Sequence, residues 1–221
     1  MRFAPSVRLS RKGKIYETKV ETGYPDPLSA LLASADRLVP ASPERDAVLK
    51  AYSIVQGTPM DKVIAEATLL SGDLIFQQAI RESARELVKA GKKVYYYHWD
   101  YPNPWPAPFF GGVAHHFVDI LFVFQTLKDI YPNDLARKIA QDTGRYWVTF
   151  AAKGAPDGWK EFKDGIVAVV DPQEGWVERT VEEDRKNPWR REYRWDLIEK
   201  IQPYGQTWGD EMAYTRIGIW K

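Results

Sequence analysis

At 221 residues, with 31 basic against 30 acidic side chains and a formal net charge of +1, the chain is of single-domain size and has no electrostatic case for binding nucleic acid or an anionic membrane. It has no Cys, which excludes disulfides, thiolate metal sites and a Cys nucleophile. Nine Trp, twelve Tyr and nine Phe suit a large core or an apolar pocket.

Residues 1–14 are basic and lack a period, so they read as a loop or frayed end. They hold no apolar run of the kind a secretory signal needs, and no segment approaches the ~20 apolar residues of a spanning helix. Both absences make a cytoplasmic location the expectation. Residues 14–22 alternate weakly and predict a short strand. Asp26-Pro27 is an N-cap followed by Pro at N1, opening a helix through about Leu38. Ser42-Pro43-Glu44 repeats the signal for a helix to about Ile54. Residues 56–59 read as a turn and residues 61–71 as helical. Asp73 is expected to cap a longer helix whose apolar stripe is Ile75, Phe76, Ala79, Ile80, Ala84, Leu87 and Val88, with Gly91 as its stop. Residues 92–99 form a continuous apolar and aromatic run, suited to a strand buried on both faces.

A loop dense in Pro and aromatics follows, then Gly111-Gly112 and two histidines at the mouth of an apolar helix, residues 117–127. His115 and His116 thus fall at the carboxyl end of a strand, the edge where open α/β sheets gather their chemistry. Asn133 or Asp134 caps the next helix, which carries Leu135, Ile139, Tyr146, Trp147, Phe150 and Ala151 and ends at Gly154. Residues 166–170 and 176–180 flank Asp171-Pro172-Gln173-Glu174-Gly175 as a hairpin. Residues 181–191 are charged and read as an exposed loop, and residues 193–201 as a last helix.

The histidine stretch resembles the C-terminal part of the type B carboxylesterases, the cholinesterase-like branch of the α/β-hydrolases. Asp100, Pro102-Asn103-Pro104-Trp105, Gly112, His116, Asp119 and Phe122-Val123-Phe124 carry the resemblance, and Gly112-Val113-Ala114-His115-His116 is similar to the form seen in fungal-type members. Trp147 to Pro156 fits the family's Trp-x-x-Phe-Ala-x-x-Gly-x-Pro helix, and the likeness runs from about residue 42 to about residue 159. The resemblance implies an α/β class: the C-terminal portion of an α/β-hydrolase fold, helix-rich, with one or two core strands and a C-terminal β-hairpin. Residues 1–160 would be the C-terminal part of the carboxylesterase-like domain, and residues 161–221 the hairpin and helical tail of the same domain.

The resemblance also makes His116 the catalytic position of an ester hydrolase. Trp105, Phe109 and Phe110 would line the acyl side of a pocket for a small ester, or else simply pack the loop. Two other parts of the machinery are missing. No Gly-x-Ser-x-Gly elbow occurs; Ser71, the serine next to a glycine, lies at a helix junction. The family order is Ser, acid, His, which assigns the serine to a region before Met1. Where the acid is expected stands Lys12-Gly13, and a lysine opposes an imidazolium rather than holding it; Glu17 or Glu21 would be displaced substitutes.

Asp119 reads as an acid favoured by a helix N-terminus, against the alternatives of a triad acid or, with His116, half a metal site; a zinc site wants three or four ligands and only His115 and His98 are left to offer, so neither metal nor cofactor is expected. The chain is therefore expected to be an esterase fragment inactive alone, one half of a split enzyme completed by another chain, or a non-enzymatic interaction module. An open edge on the strand at 94–98 makes self-association, or a chain supplying the N-terminal half, the expected partnership, with no nucleic acid and no membrane.

Overall fold

The computed structural model describes residues 4–9, 15–20, 25–106, 111–187 and 190–214. These fall into two compact units, residues 1–83 with 191–221, and residues 84–190.

The first unit begins with an antiparallel pair, β1 (Ala4–Leu9) and β2 (Ile15–Val20), with Ala4 opposite Val20 and Leu9 opposite Ile15. The second strand falls where alternation predicts it. The first corrects the expected loop at 1–14: Ser6-Val7-Arg8-Leu9 has the two-residue period of a strand, too short to stand out without its partner. Helix α1 (Pro27–Leu38) starts as the sequence dictates, the Asp26 carboxylate accepting from the Ser29 N–H at 2.8 Å. In α2 (Pro43–Ala51), Ser42 plays the same part for Arg45. This helix stops short of Ile54 because Ser53 turns left-handed, at φ 53°, and the Ile54 N–H closes back on the Leu49 carbonyl.

The expected break at Asp73 is absent. Helix α3 (Met60–Gly72) runs through a π-helical turn, Asp73–Gln77, into α4 (Gln78–Lys89). Asp73 is helical and buried, and its carboxylate accepts from the Tyr52 hydroxyl at 2.7 Å and from Arg191 Nε and Nη2, each at 2.9 Å. The π turn carries one extra residue, which rotates everything after it by about 100°. The anticipated stripe is only partly inward: Phe76, Ala79, Ile80 and Leu87 are exposed and Ile75 and Val88 half-buried, while Ala84 alone of the stripe is buried, beside Leu74, Gln78 and Arg81 from outside it.

The core of this unit packs Leu31, Val48, Tyr52, Ile54, Leu70, Ile198 and Trp208 from distant stretches. Helix α8 (Glu192–Glu199) matches the expected last helix; α9 (Tyr204–Tyr214), which was not anticipated, adds Trp208, whose indole N–H donates to Ser34 Oγ at 3.0 Å.

In the second unit, Gly91 at φ +69° ends α4 as the sequence requires, the N–H of Lys92 reaching the Leu87 carbonyl. The aromatic strand narrows to β3 (Tyr97–Trp99), although its pairing begins earlier, where the Phe162 N–H donates to the Val94 carbonyl. It lies parallel to β4 (Ile166–Asp171), which pairs antiparallel with β5 (Gly175–Thr180), in the order β3-β4-β5. The predicted hairpin is thus joined to the core strand in one sheet, with β3 at its edge. One Asp171 carboxylate oxygen accepts from the N–H groups of Gln173 and Glu174 and the other from Arg179, while Gly175 turns at φ +77° against Leu135 and Ile139. Those two residues belong to α6 (Asp134–Lys153), capped by Asn133 and closed by Gly154 as expected. Helix α5 is shorter than predicted, Val118–Val123, because Gln125 turns to φ 50°.

Candidate active-site loop

The loop between β3 and α5 is pinned at its base. The Asn103 N–H donates to the Val113 carbonyl at 3.0 Å, and the Gly112 N–H to the Asn103 carbonyl at 2.8 Å. Gly112 sits at φ +75°, a conformation a side chain would strain. His116 follows on a turn before α5, exposed, with its ring 3.9 Å from that of Phe117. The loop position matches the sequence reading. Phe117 is itself left-handed at φ 72° and 59% exposed; for a bulky residue that conformation costs on the order of 1–2 kcal/mol. Val113, Ile120 and Phe124, close to His116 in sequence, are also exposed.

Asp119, in the first turn of α5, has a partner on β3. Its Oδ2 accepts from the Tyr97 hydroxyl at 2.9 Å, and burial, reinforced by the Asp119 charge, pushes the Tyr97 phenol pKa well up, so it stays a donor. Trp105 is half-buried; its indole N–H donates to the Ile130 carbonyl and its ring packs against Phe122 and Tyr131. Phe109, Phe110, Lys12-Gly13 and Glu21 lie outside the described residues. A polar groove is present between the hairpin turn and the segment after β5, lined by Asp171, Glu174, Arg179, Glu183 and Lys186, with no residue of the histidine loop in it.

The charged segment expected to be an exposed loop is the largest departure. It opens with α7 (Val181–Arg185), started by a reciprocal capping box between Thr180 and Glu183. That box was legible as Thr-x-x-Glu. It turns Asp184 inward, to 1% exposure, where Oδ2 meets His98 Nδ1 at 2.7 Å. Arg190 bridges this pair to the end of β3. It donates to Asp184 Oδ1 at 3.0 Å and forks onto Asp100 at 3.1 and 2.6 Å. Burial pushes the Asp100 carboxyl up against the pull of Arg190. For Asp184 burial pushes the same way, but the bonds and charges of His98 and Arg190 outweigh it and hold the group below the usual carboxylate range. His98, considered from sequence as a metal ligand, is thus part of a buried ion network.

Against known proteins, the family model described as "Carboxylesterase family" matches residues 30–189, well over half the chain. The chain belongs to the carboxylesterase family, and its helix-rich α/β architecture is part of that family's α/β-hydrolase fold. A solved structure titled "PNB esterase" is 16% identical over 76% of this chain and 31% of its own, with a TM-score of 0.37; the chain thus spans about a third of that esterase. No curated protein matches. Among the described residues, no helix is long and apolar enough to cross a membrane.

Proposed function

We propose that this chain carries the catalytic-histidine loop of a carboxylesterase-type ester hydrolase, with His116 as the general base, and that alone it does not turn over esters. The observation that carries this reading is the exposed position of His116 on the turn between β3 and α5 in a carboxylesterase-family chain. A histidine there needs a serine to deprotonate and a carboxylate to orient it. No Gly-x-Ser-x-Gly supplies the first, and Asp119 is engaged by Tyr97. The isolated chain is expected to hydrolyse p-nitrophenyl acetate and butyrate at the buffer rate, with no burst. A burst abolished by His116→Ala would overturn the reading.

A second reading is favoured by the exposed Val113, Phe117, Ile120 and Phe124, all within a few residues of His116 in sequence, and by the edge position of β3. Here the surface is an interface. Its occupant is a chain that brings the nucleophile, which makes a split esterase; a second copy would make an interaction module instead. Apolar patches of this kind mark interaction sites on soluble proteins, and open strand edges recruit other chains. Size-exclusion chromatography with light scattering is expected to show association, reduced by Phe117→Ser with Phe124→Ser. A monodisperse species at the mass of one chain would contradict it.

A further inference from the structure

We propose that Asn103 and His115 together form a positioning device for His116, fixing the backbone beneath the general base through one defined imidazole tautomer. The inference rests on the reading of His116 given above. The Trp105 N–H donates to Asn103 Oδ1 at 3.0 Å. A backbone amide only donates, so Oδ1 is the acceptor and the orientation of the Asn103 amide is settled. Its Nδ2 therefore faces His115 Nε2, 3.2 Å away, as a donor. At the other side of the ring, His115 Nδ1 lies 2.7 Å from the His116 carbonyl oxygen, which only accepts. One assignment satisfies both contacts: His115 is neutral, carries its proton on Nδ1 and accepts at Nε2.

The chain of bonds runs from the Trp105 backbone through a buried Asn103 and the His115 ring to the backbone of the residue proposed as base. Asn103 also holds the loop through its own N–H and carbonyl, so one residue fixes both the loop's path and the ring that braces it. Which ring nitrogen carries the proton is set by the hydrogen bonds the ring makes, so the Nδ1–H form is imposed by the site. In this arrangement His115 does not act as a second base, because both ring nitrogens are committed to holding geometry.

Long-range 15N–1H correlations tell the two tautomers apart, and the chain has three histidines to assign. Wild type is expected to give the Nδ1–H pattern for His115. Asn103→Ala is expected to shift His115 toward the Nε2–H form and to move the His116 amide signal. His115→Asn, whose amide N–H can occupy the Nδ1 place, should keep the His116 signal near its original position, whereas His115→Gln should not. Diethyl pyrocarbonate supplies a second readout. Loss of the Asn103 bond should speed carbethoxylation of His115 about fivefold, one ordinary hydrogen bond in energy. An Nε2–H pattern for His115 in the wild type would overturn the inference, and that reading needs no variant to fold. So would an Asn103→Ala protein in which neither the His115 tautomer nor the His116 signal moves. Neither readout involves ester hydrolysis, so failure here is separable from failure of the His116 reading.

Discussion

Replacing Arg190 by Ala is expected to destabilise the unit formed by residues 84–190 by about 3–5 kcal/mol, the usual cost of removing one partner from a buried ion network. The Arg190 side chain is 6% exposed and is shared between Asp100 and Asp184. Its removal leaves two carboxylates, one of them 1% exposed, without the cation that lies between them. Arg190→Lys should recover only part of the loss, since an ammonium is a point charge and cannot fork onto Asp100 while reaching Asp184. Urea denaturation followed by Trp fluorescence reads the difference. A loss under ~1 kcal/mol, the range of an exposed pair, would show that the network is solvated in solution.

Asp73 offers a similar contrast in the first unit. A residue that merely caps a helix costs about 1 kcal/mol on change to Ala. As the acceptor for Tyr52 and a two-pronged Arg191, Asp73 should cost nearer ~3 kcal/mol, because a buried hydroxyl loses its acceptor and a guanidinium its counter-ion. Arg191 retains 31% exposure, which keeps the expected loss at the lower end of the range for buried pairs. The network leaves its mark on both partners: burial disfavours the Tyr52 phenolate, with the Asp73 charge acting the same way, while at Arg191 burial pulls the pKa down but the Asp73 bond and charge, with the Tyr52 and Glu66 charges, together outweigh it and raise the group. A loss near ~1 kcal/mol in urea titration would restore Asp73 to an ordinary cap.

These two positions also mark where sequence reasoning reached and where it stopped. Local chemistry was legible wherever a side chain acts on its own backbone. Asp26, Ser42 and Asn133 start their helices, and Gly91 and Gly154 end theirs, because capping and left-handed turns are decided within four residues. The hairpin at residues 171–175 was legible for the same reason. The phase of α4 was not, since the π turn preceding it is a backbone event with no side-chain signature. Nor was the fate of Asp184 and Arg190, where burial is decided by β3, some 86 to 90 residues away in the chain. Composition made the segment look solvated, and pairing took it inside. At the candidate site, the loop position of His116 followed from the strand, the glycines and the helix start. The roles of Asn103 and His115 depend on a contact across twelve residues that no spacing rule encodes.

The histidine loop is proposed to have no nucleophile of its own within this chain. Intact mass after exposure to a fluorophosphonate reads that claim directly, since a serine activated by His116 would be phosphonylated at one site. The predicted result is an unmodified mass in both the native chain and the His116→Ala variant. A single adduct on a serine, lost in His116→Ala, would contradict the account and identify a nucleophile outside any Gly-x-Ser-x-Gly elbow.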